Sequence, residues 1–390
     1  MTHVWMHYPM TEHSRIGGSS YSRWSQCPGS VRLSKGIESK AGFPAAEGTV
    51  AHKLSETPIA TGKPTIREPG DLIQQEGFDI EVTQEMLDGI QLYADTVRND
   101  MEPGDELYVE RKVHVPEIHP NLFGTLDTAV WRERKHHLKV YDFKYGKGVG
   151  VEAENNQQGV FYALLFAMSN NLRVKDVEFI IVQPRFEHPE GPIRRWRFDA
   201  VQLLEFQAEL EDAVERVMDP EAPLVPGKHC QWCPAGAICP EVKRLATNMA
   251  KKEFESTALD TADLADSMRF LPVIERWTKQ VREFAYQQAM DGVFILGFKL
   301  VEKRGIRKWV KEETVATELQ AFGLDGSDMF SRKLKSPAAI EKLIGKQEMK
   351  EMDHLHRKES SGLTLVPEAD KRHAIAQGSA RARLDFAEQI

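Results

Sequence analysis

Two carboxylates and a lysine fall close together in the stretch from Gly124 to Lys144. Residues 125–131 and 138–145 are rich in β-branched, aromatic and aliphatic types, with a charged turn, Glu133-Arg134-Lys135-His136, between them. That pattern predicts a β-hairpin. With the turn centred on Arg134-Lys135, Trp131 faces Leu138, Ala129 faces Val140 and Asp127 faces Asp142. Lys144 lies two residues on, on the same face as Asp142. Two like charges held this close repel. A divalent cation would neutralise them, and an ammonium beside metal-bound water is a hydrolytic arrangement. Taken alone, a D…D-x-K pattern also describes a solvated hairpin edge.

The elements that would position these residues read as follows. Residues 1–18 are a polar, poorly ordered lead-in. Residues 19–26 form a short helix that Cys27-Pro28-Gly29 stops. A helix opens at Glu47-Gly48-Thr49 and carries His52, and residues 61–82 are a Gly/Pro/acidic loop. Thr83 caps a second helix, with Met86, Ile90, Tyr93 and Val97 at helical spacing. Residues 107–115 alternate like a strand and contain Glu110. After the hairpin comes a helix over 155–169, in which Gln158 and Tyr162, four apart, share a face. Strands are expected over 177–183 and 193–198, and helices over 203–217 and 264–290. Residues 294–301 and 306–310 suggest a second hairpin with Lys303, Arg304, Arg307 and Lys308 near its turn. Short helices near 315–322 and 337–344 follow.

The chain has four cysteines. Cys27 stands alone, and Cys230-x2-Cys233-x5-Cys239 follows about 200 residues later. Four thiolates can close a tetrahedral zinc site or hold a [4Fe–4S] cluster, and the spacing leaves both open. One loop would supply three ligands and the fourth would tie down the far end of a domain. At 390 residues the chain has room for two or three domains, and 41% hydrophobic with 28% charged residues is an ordinary globular composition. The net charge of −8 means that any DNA contact comes from a local basic patch. No apolar run is long enough to span a membrane, and residues 1–15 lack a signal-peptide layout, so a cytoplasmic location is expected.

On these motifs the chain resembles the RecB-like branch of the PD-(D/E)XK nucleases that carries an iron–sulfur staple, which includes AddB-type and CRISPR-associated four-cysteine exonucleases. Within it, the chain is most similar to a phage- and prophage-encoded family, through Ser22-Arg23-Trp24-Ser25-Gln26-Cys27-Pro28-Gly29, Glu47-Gly48-Thr49-Val50-Ala51-His52 and the tail around Gly297-Phe298-Lys299-Leu300-Val301. The resemblance implies an α/β (α+β) fold: a restriction-endonuclease-like core with a mixed central sheet flanked by helices, and a C-terminal α+β extension. It implies a nuclease domain over 19–245 and a DNA- or partner-binding extension over 246–390. It makes His52, Asp127 and Asp142 ligands of Mg²⁺ or Mn²⁺, and Asp127, Asp142, Lys144, Gln158 and Tyr162 the catalytic set. Cys27, Cys230, Cys233 and Cys239 become ligands of a [4Fe–4S] cluster, with Zn²⁺ the alternative. Glu110 occupies an acidic strand position without a defined role.

The implied activity is metal-dependent exonucleolytic hydrolysis of DNA in phage recombination, repair or end processing, within the bacterial host cytoplasm. A phage single-strand annealing or single-strand-binding protein is the partner such work calls for. Lys147, Arg132, Lys139 and the basic stretch 303–308 are candidates for phosphate contacts. Each motif residue has a duller reading: His52 as a half-buried histidine, Gln158 and Tyr162 as a polar helix edge, Lys144 as a salt-bridge partner. A non-catalytic DNA-binding accessory and a zinc-stapled structural protein are the competing function classes.

Overall fold

The computed structural model describes residues 14–37, 42–255 and 261–303, and beyond these 305–309, 312–330, 334–359, 362–367 and 372–375. The chain divides into two compact units, Met1–Trp277 and Thr278–Ile390.

The first unit opens with two short helices, α1 (Tyr21–Trp24) and α2 (Gly29–Leu33). Pro28 ends the first helical stretch as expected but also caps the second, where its fixed φ suits a helix start. The lead-in is ordered sooner than expected, since Ile16 is buried against Tyr21 and Trp24. Residues 1–13 lie outside the described residues. Helix α3 (Phe43–Thr61) carries His52. The expected loop 61–82 contains a hairpin, β1 (Leu72–Gln75) and β2 (Phe78–Glu81). Its two-residue turn, Glu76-Gly77, has φ of 53° and 81°, the left-handed pair that suits a hairpin's twist. Helix α4 (Gln84–Asn99) starts where Thr83 accepts the Met86 amide.

Strands β3 (Glu106–His114), β4 (Phe123–Arg132), β5 (His137–Phe143), β6 (Asp176–Val182) and β7 (Ile193–Asp199) form one sheet in that order. Only the β5–β6 pair is parallel, and helix α5 (Gln157–Ser169) makes the crossover between them. The β4–β5 register matches the sequence reading at Ala129–Val140 and Trp131–Leu138, but the ladder stops at Thr128–Tyr141 and does not include the expected Asp127–Asp142 pair. Every residue of β5 is buried, as a strand covered on both faces must be. One face packs on α3 and α4 through Val50, Ile90, Tyr93, Tyr141, Phe143 and Ile180. The other packs on α5 and on α6 (Ala200–Met218) through Trp131, Val140, Phe161, Leu165, Phe179 and Leu210. Gly159 lets α5 approach closely, because a Cβ there would come within 2.5 Å of the Phe179 ring. Helices α7 (Pro240–Glu255) and α8 (Thr261–Met290) follow the cysteine segment, and the division between the units falls within α8. The expected architecture, a mixed central sheet flanked by helices with a C-terminal α+β extension, is what this chain adopts.

In the second unit β8 (Phe298–Glu302) and β9 (Ile306–Trp309) exist but do not form the expected hairpin. After helices between residues 312 and 351, β10 (His356–Glu359) pairs with β9, and β11 (Leu363–Pro367) pairs with β8, both antiparallel. Each strand thus takes a partner far along the chain, Trp309 with His356 and Glu302 with Leu363 at the nearest, which local spacing does not reveal. Val315, Leu319, Met329, Ile340 and Met352 form its core.

Candidate active site

Asp127 and Glu110 sit where β3 and β4 depart from regular pairing. Val109 pairs with Thr128 and Arg111 with Leu126, and Glu110 between them has φ 46°. Residues two apart on a strand normally share a face. Here Thr128 bonds the Tyr93 hydroxyl (2.9 Å) on the α3/α4 side, while Leu126 packs on the α5 side. The strands therefore switch face at Glu110 and Asp127, and a left-handed glutamate is a strained backbone of the kind that collects at working sites. The β4–β5 ladder ends at Thr128–Tyr141, and Asp127 Oδ2 then accepts the Phe143 amide at 2.8 Å.

His52 reaches this break from α3. Its ring lies 5.4 Å from that of Phe143, which stacks on Tyr93 at 4.7 Å and 5°. Arg185, just past β6, donates to Glu47 of α3 at 2.8 Å and forms an ion pair with Glu85 of α4 at 3.0 Å, tying both helices to the end of β6. His52 Nδ1 stands 3.5 Å from Asp127 Oδ2 and 3.9 Å from Glu110 Oε1. Among the described residues, His52, Glu110 and Asp127 are the one group of three or more His, Cys, Asp or Glu ligand atoms that all lie within 4.8 Å of one another.

Asp142 is not part of that triplet. Lys144 Nζ donates to its Oδ1 at 3.0 Å, and Gln158 Nε2 donates to the same oxygen at 3.2 Å. Its buried Oδ2 lies 2.9 Å from the ammonium but outside hydrogen-bonding direction, and has no hydrogen-bond partner. Gln158 Oε1 also accepts weakly from Lys144, at 3.4 Å. Tyr162, one turn along α5, lies against Gly124 and Gly18, where a Cβ would come within 2.9 and 3.1 Å of its ring.

Burial raises the pKa of Glu110 to about 7, with the Asp127 charge adding and His52 opposing. Burial also raises Asp127, offset in part by His52 and reinforced by Asp142. Burial works against the Lys144 ammonium, but Asp142 and Asp127 outweigh it and hold its pKa above 10.5. Tyr162 is raised by burial and then by the potential of Asp127, Asp142 and Glu110, so it stays a neutral donor facing an acidic centre. Three carboxylates, an imidazole and a lysine thus converge on one strand end. The donor set fits a hard divalent cation: oxygen-rich, with one nitrogen and an orphaned carboxylate oxygen beside it.

Other phosphate candidates are committed elsewhere. Arg132 is buried and holds Asp105 and Glu102 at 2.7 Å, and Lys139 is buried beside Glu178 and Asp100. Lys147 is exposed. Arg304 lies outside the described residues.

The four cysteines line a single cavity with Arg23 and Ser30. The amide of Val225 donates to Cys27 Sγ at 3.2 Å and that of Gly227 to Cys230 Sγ at 3.4 Å. Burial raises the Cys27 and Cys230 thiols. Arg23 is 8% exposed and donates to Ser30 at 2.7 Å. Among the described residues no carboxylate pairs with it, and it lines the thiol cavity. Burial lowers its pKa, and Cys233 and Cys27 oppose that.

A candidate metal centre where β3, β4 and β5 meet is what these features define. The chain belongs to the DUF2800 family, described as a protein of unknown function, whose model matches residues 13–373. The solved structures similar to it include two with low sequence identity. One, titled "Crystal structure of SSO0001", has 14% identity and a TM-score of 0.32, over 59% of this chain and 87% of that one. The other, an alkaline exonuclease (LHK-Exo) from Laribacter hongkongensis, has 13% identity and a TM-score of 0.23, over 50% and 90%. No helix among the described residues is long and apolar enough to cross a membrane.

Proposed function

We propose that this chain is a Mg²⁺- or Mn²⁺-dependent deoxyribonuclease of the PD-(D/E)XK class. The observation that carries the reading is the meeting of His52, Glu110 and Asp127 beside the Asp142–Lys144–Gln158 group. Asp127 and His52 would hold the cation with Glu110, and Asp142 would close the site from β5. The nitrogen ligand makes Mn²⁺ competitive with Mg²⁺. When bound, such an ion lowers the pKa of a water and stabilises charge on the scissile phosphate. Lys144 orients that water or offsets developing charge, Gln158 braces Lys144, and Tyr162 offers a hydroxyl to the strand.

The four cysteines that line one cavity would hold a [4Fe–4S] cluster, with Zn²⁺ the alternative, a choice that follows from the motif resemblance. Arg23 would balance the anionic cluster. The cluster would fasten residues 21–33 to the end of the sheet domain, leaving the C-terminal extension for DNA or a partner. Exonuclease action in phage DNA recombination, repair or end processing is the finer reading, and it follows from the motif resemblance.

The deciding assay is digestion of end-labelled linear and covalently closed circular DNA with Mn²⁺. Release of nucleotides from linear DNA alone is expected. Cleavage of circles would make the enzyme an endonuclease. No cleavage of any DNA by cluster-loaded protein, with Mg²⁺ or Mn²⁺, overturns the proposal.

Metal binding should also be pH-dependent. Glu110 in the folded chain holds its proton up to about pH 7, against 4.5 ordinarily, and Asp127 shifts the same way. The folded state therefore binds more protons than the unfolded one between these values. That contribution to stability is present below pH 4.5 and lost as pH rises through 7. A cation replaces the missing protons, so added Mn²⁺ should raise the melting temperature more at pH 8 than at pH 5.5. Equal increments at the two pH values would contradict the assigned ligands.

A further inference from the structure

The segment that begins one residue past Lys144, residues 146–151, has the sequence Gly-Lys-Gly-Val-Gly-Val. Its base is held from within by two buried side chains, Gln183 and Arg194, which are 1% and 2% exposed. Gln183 Nε2 donates to the carbonyls of Gly146 (3.0 Å) and Val149 (2.8 Å), and its Oε1 accepts the Val151 amide (3.1 Å). Arg194 donates to that same Oε1 (2.6 Å), to the Val151 carbonyl (2.9 Å) and to the Gly191 carbonyl (3.0 Å). Among the described residues no carboxylate pairs with this arginine, and burial lowers its pKa. Burying a guanidinium on neutral carbonyls is costly. What the network achieves is to fix the path of one loop.

Two further observations say what that loop is shaped for. The carbonyls of 146, 149 and 151 are drawn inward onto buried donors, so their negative ends are withdrawn from solvent. The residues at its tip, Lys147, Gly148 and Val149, are exposed. Gly150 has an internal reason, since a Cβ there would come within 2.6 Å of Phe186. Gly146 and Gly148 have none. Neither takes a left-handed φ, and a Cβ on either would meet nothing within 4 Å. Nothing in the fold calls for glycine at these positions, whereas a ligand approaching the backbone closely would.

We infer that loop 146–151 seats a phosphate of the nucleic-acid backbone beside Lys144, through Lys147 and the bare backbone of Gly146 and Gly148, with Gln183 and Arg194 as positioning residues. This rests on the nuclease reading and names the surface that holds its substrate. Lys147 supplies the charge that the buried Arg132 and Lys139 do not.

The test is equilibrium binding of a short fluorescein-labelled DNA with Ca²⁺ in place of Mg²⁺, at several salt concentrations, so that binding is read without cleavage. Lys147→Ala should weaken binding roughly 3- to 10-fold and reduce the salt slope by about 1. Gly148→Val should weaken binding while the melting temperature and its rise with Mn²⁺ stay as in wild type. Gln183→Glu keeps an acceptor for Arg194 and Val151 but loses both donors to the loop. It should retain the fold and lose DNA affinity. Wild-type affinity and salt slope in both Lys147→Ala and Gly148→Val overturn the inference and leave the nuclease reading standing. A wild type that neither cleaves nor binds DNA sinks the nuclease reading, and this one with it.

Discussion

Asp127→Asn is expected to abolish Mn²⁺-dependent stabilisation and DNA cleavage together while the protein stays folded. Asparagine keeps an oxygen to accept the Phe143 amide, so the strand end retains its 2.8 Å bond. The half-buried negative charge beside His52 and Glu110 is lost. The expected fall in rate is roughly 10²–10⁴-fold, the range for a group acting on the transition state. Lys144→Ala supplies the contrast. It leaves the His52, Glu110 and Asp127 atoms untouched and removes the cation that Asp142 now holds at 2.9–3.0 Å. Cleavage should fall as far, yet the rise in melting temperature with Mn²⁺ should be kept or enlarged. Paired melting curves and cleavage rates check both. Cleavage surviving in Asp127→Asn would remove Asp127 from the centre.

The second large effect concerns the thiols. Cys239→Ala should bleach any brown colour with absorbance near ~400 nm, which Zn²⁺, being d¹⁰, does not give. It should also destabilise the first unit by more than one lost side chain. Arg23 would remain buried without its counter-charge, and stranding a buried ion costs about 3–5 kcal/mol. Val242, Val273 and Trp277, which pack around Cys230 and Cys239, would lose their support. Chemical unfolding of the variant and of Arg23→Met should separate these contributions, since methionine removes the stranded charge. A Cys239→Ala protein as stable as wild type would show that the cysteines hold nothing structural.

Much of this site was legible in the residues because the signals are local. The hairpin register followed from one turn and two apolar pairs, and the helical spacing of Gln158 and Tyr162 follows from 3.6 residues per turn. Glu110 was visible as an acid on a strand, but its role was not. Regular alternation along β3 gives no hint that φ turns positive at residue 110 and swings both strands across to the other face. The small hairpin at 72–81 was hidden by its polar composition, although Glu76-Gly77 carried a turn signal of the Asp-Gly kind. Strands β8 and β9 were read as partners because they are neighbours in sequence. Their true partners lie beyond the helices of residues 312–351, and pairing over that distance is set by packing that no local pattern encodes. Arg132 and Lys139 looked available for phosphate because charge in a sequence says nothing about burial.

The separation of Cys27 from Cys230, Cys233 and Cys239 has a consequence for how the protein is made. The first thiol leaves the ribosome long before the other three, and the whole five-stranded sheet is synthesised in between. Whatever the four sulfurs hold cannot be inserted until Cys239 has emerged, by which time the strands have had the chance to assemble. Iron or zinc delivery would therefore be a late, sealing event in biogenesis, and chains stalled before residue 239 would accumulate with an open seam at their N-terminal helices.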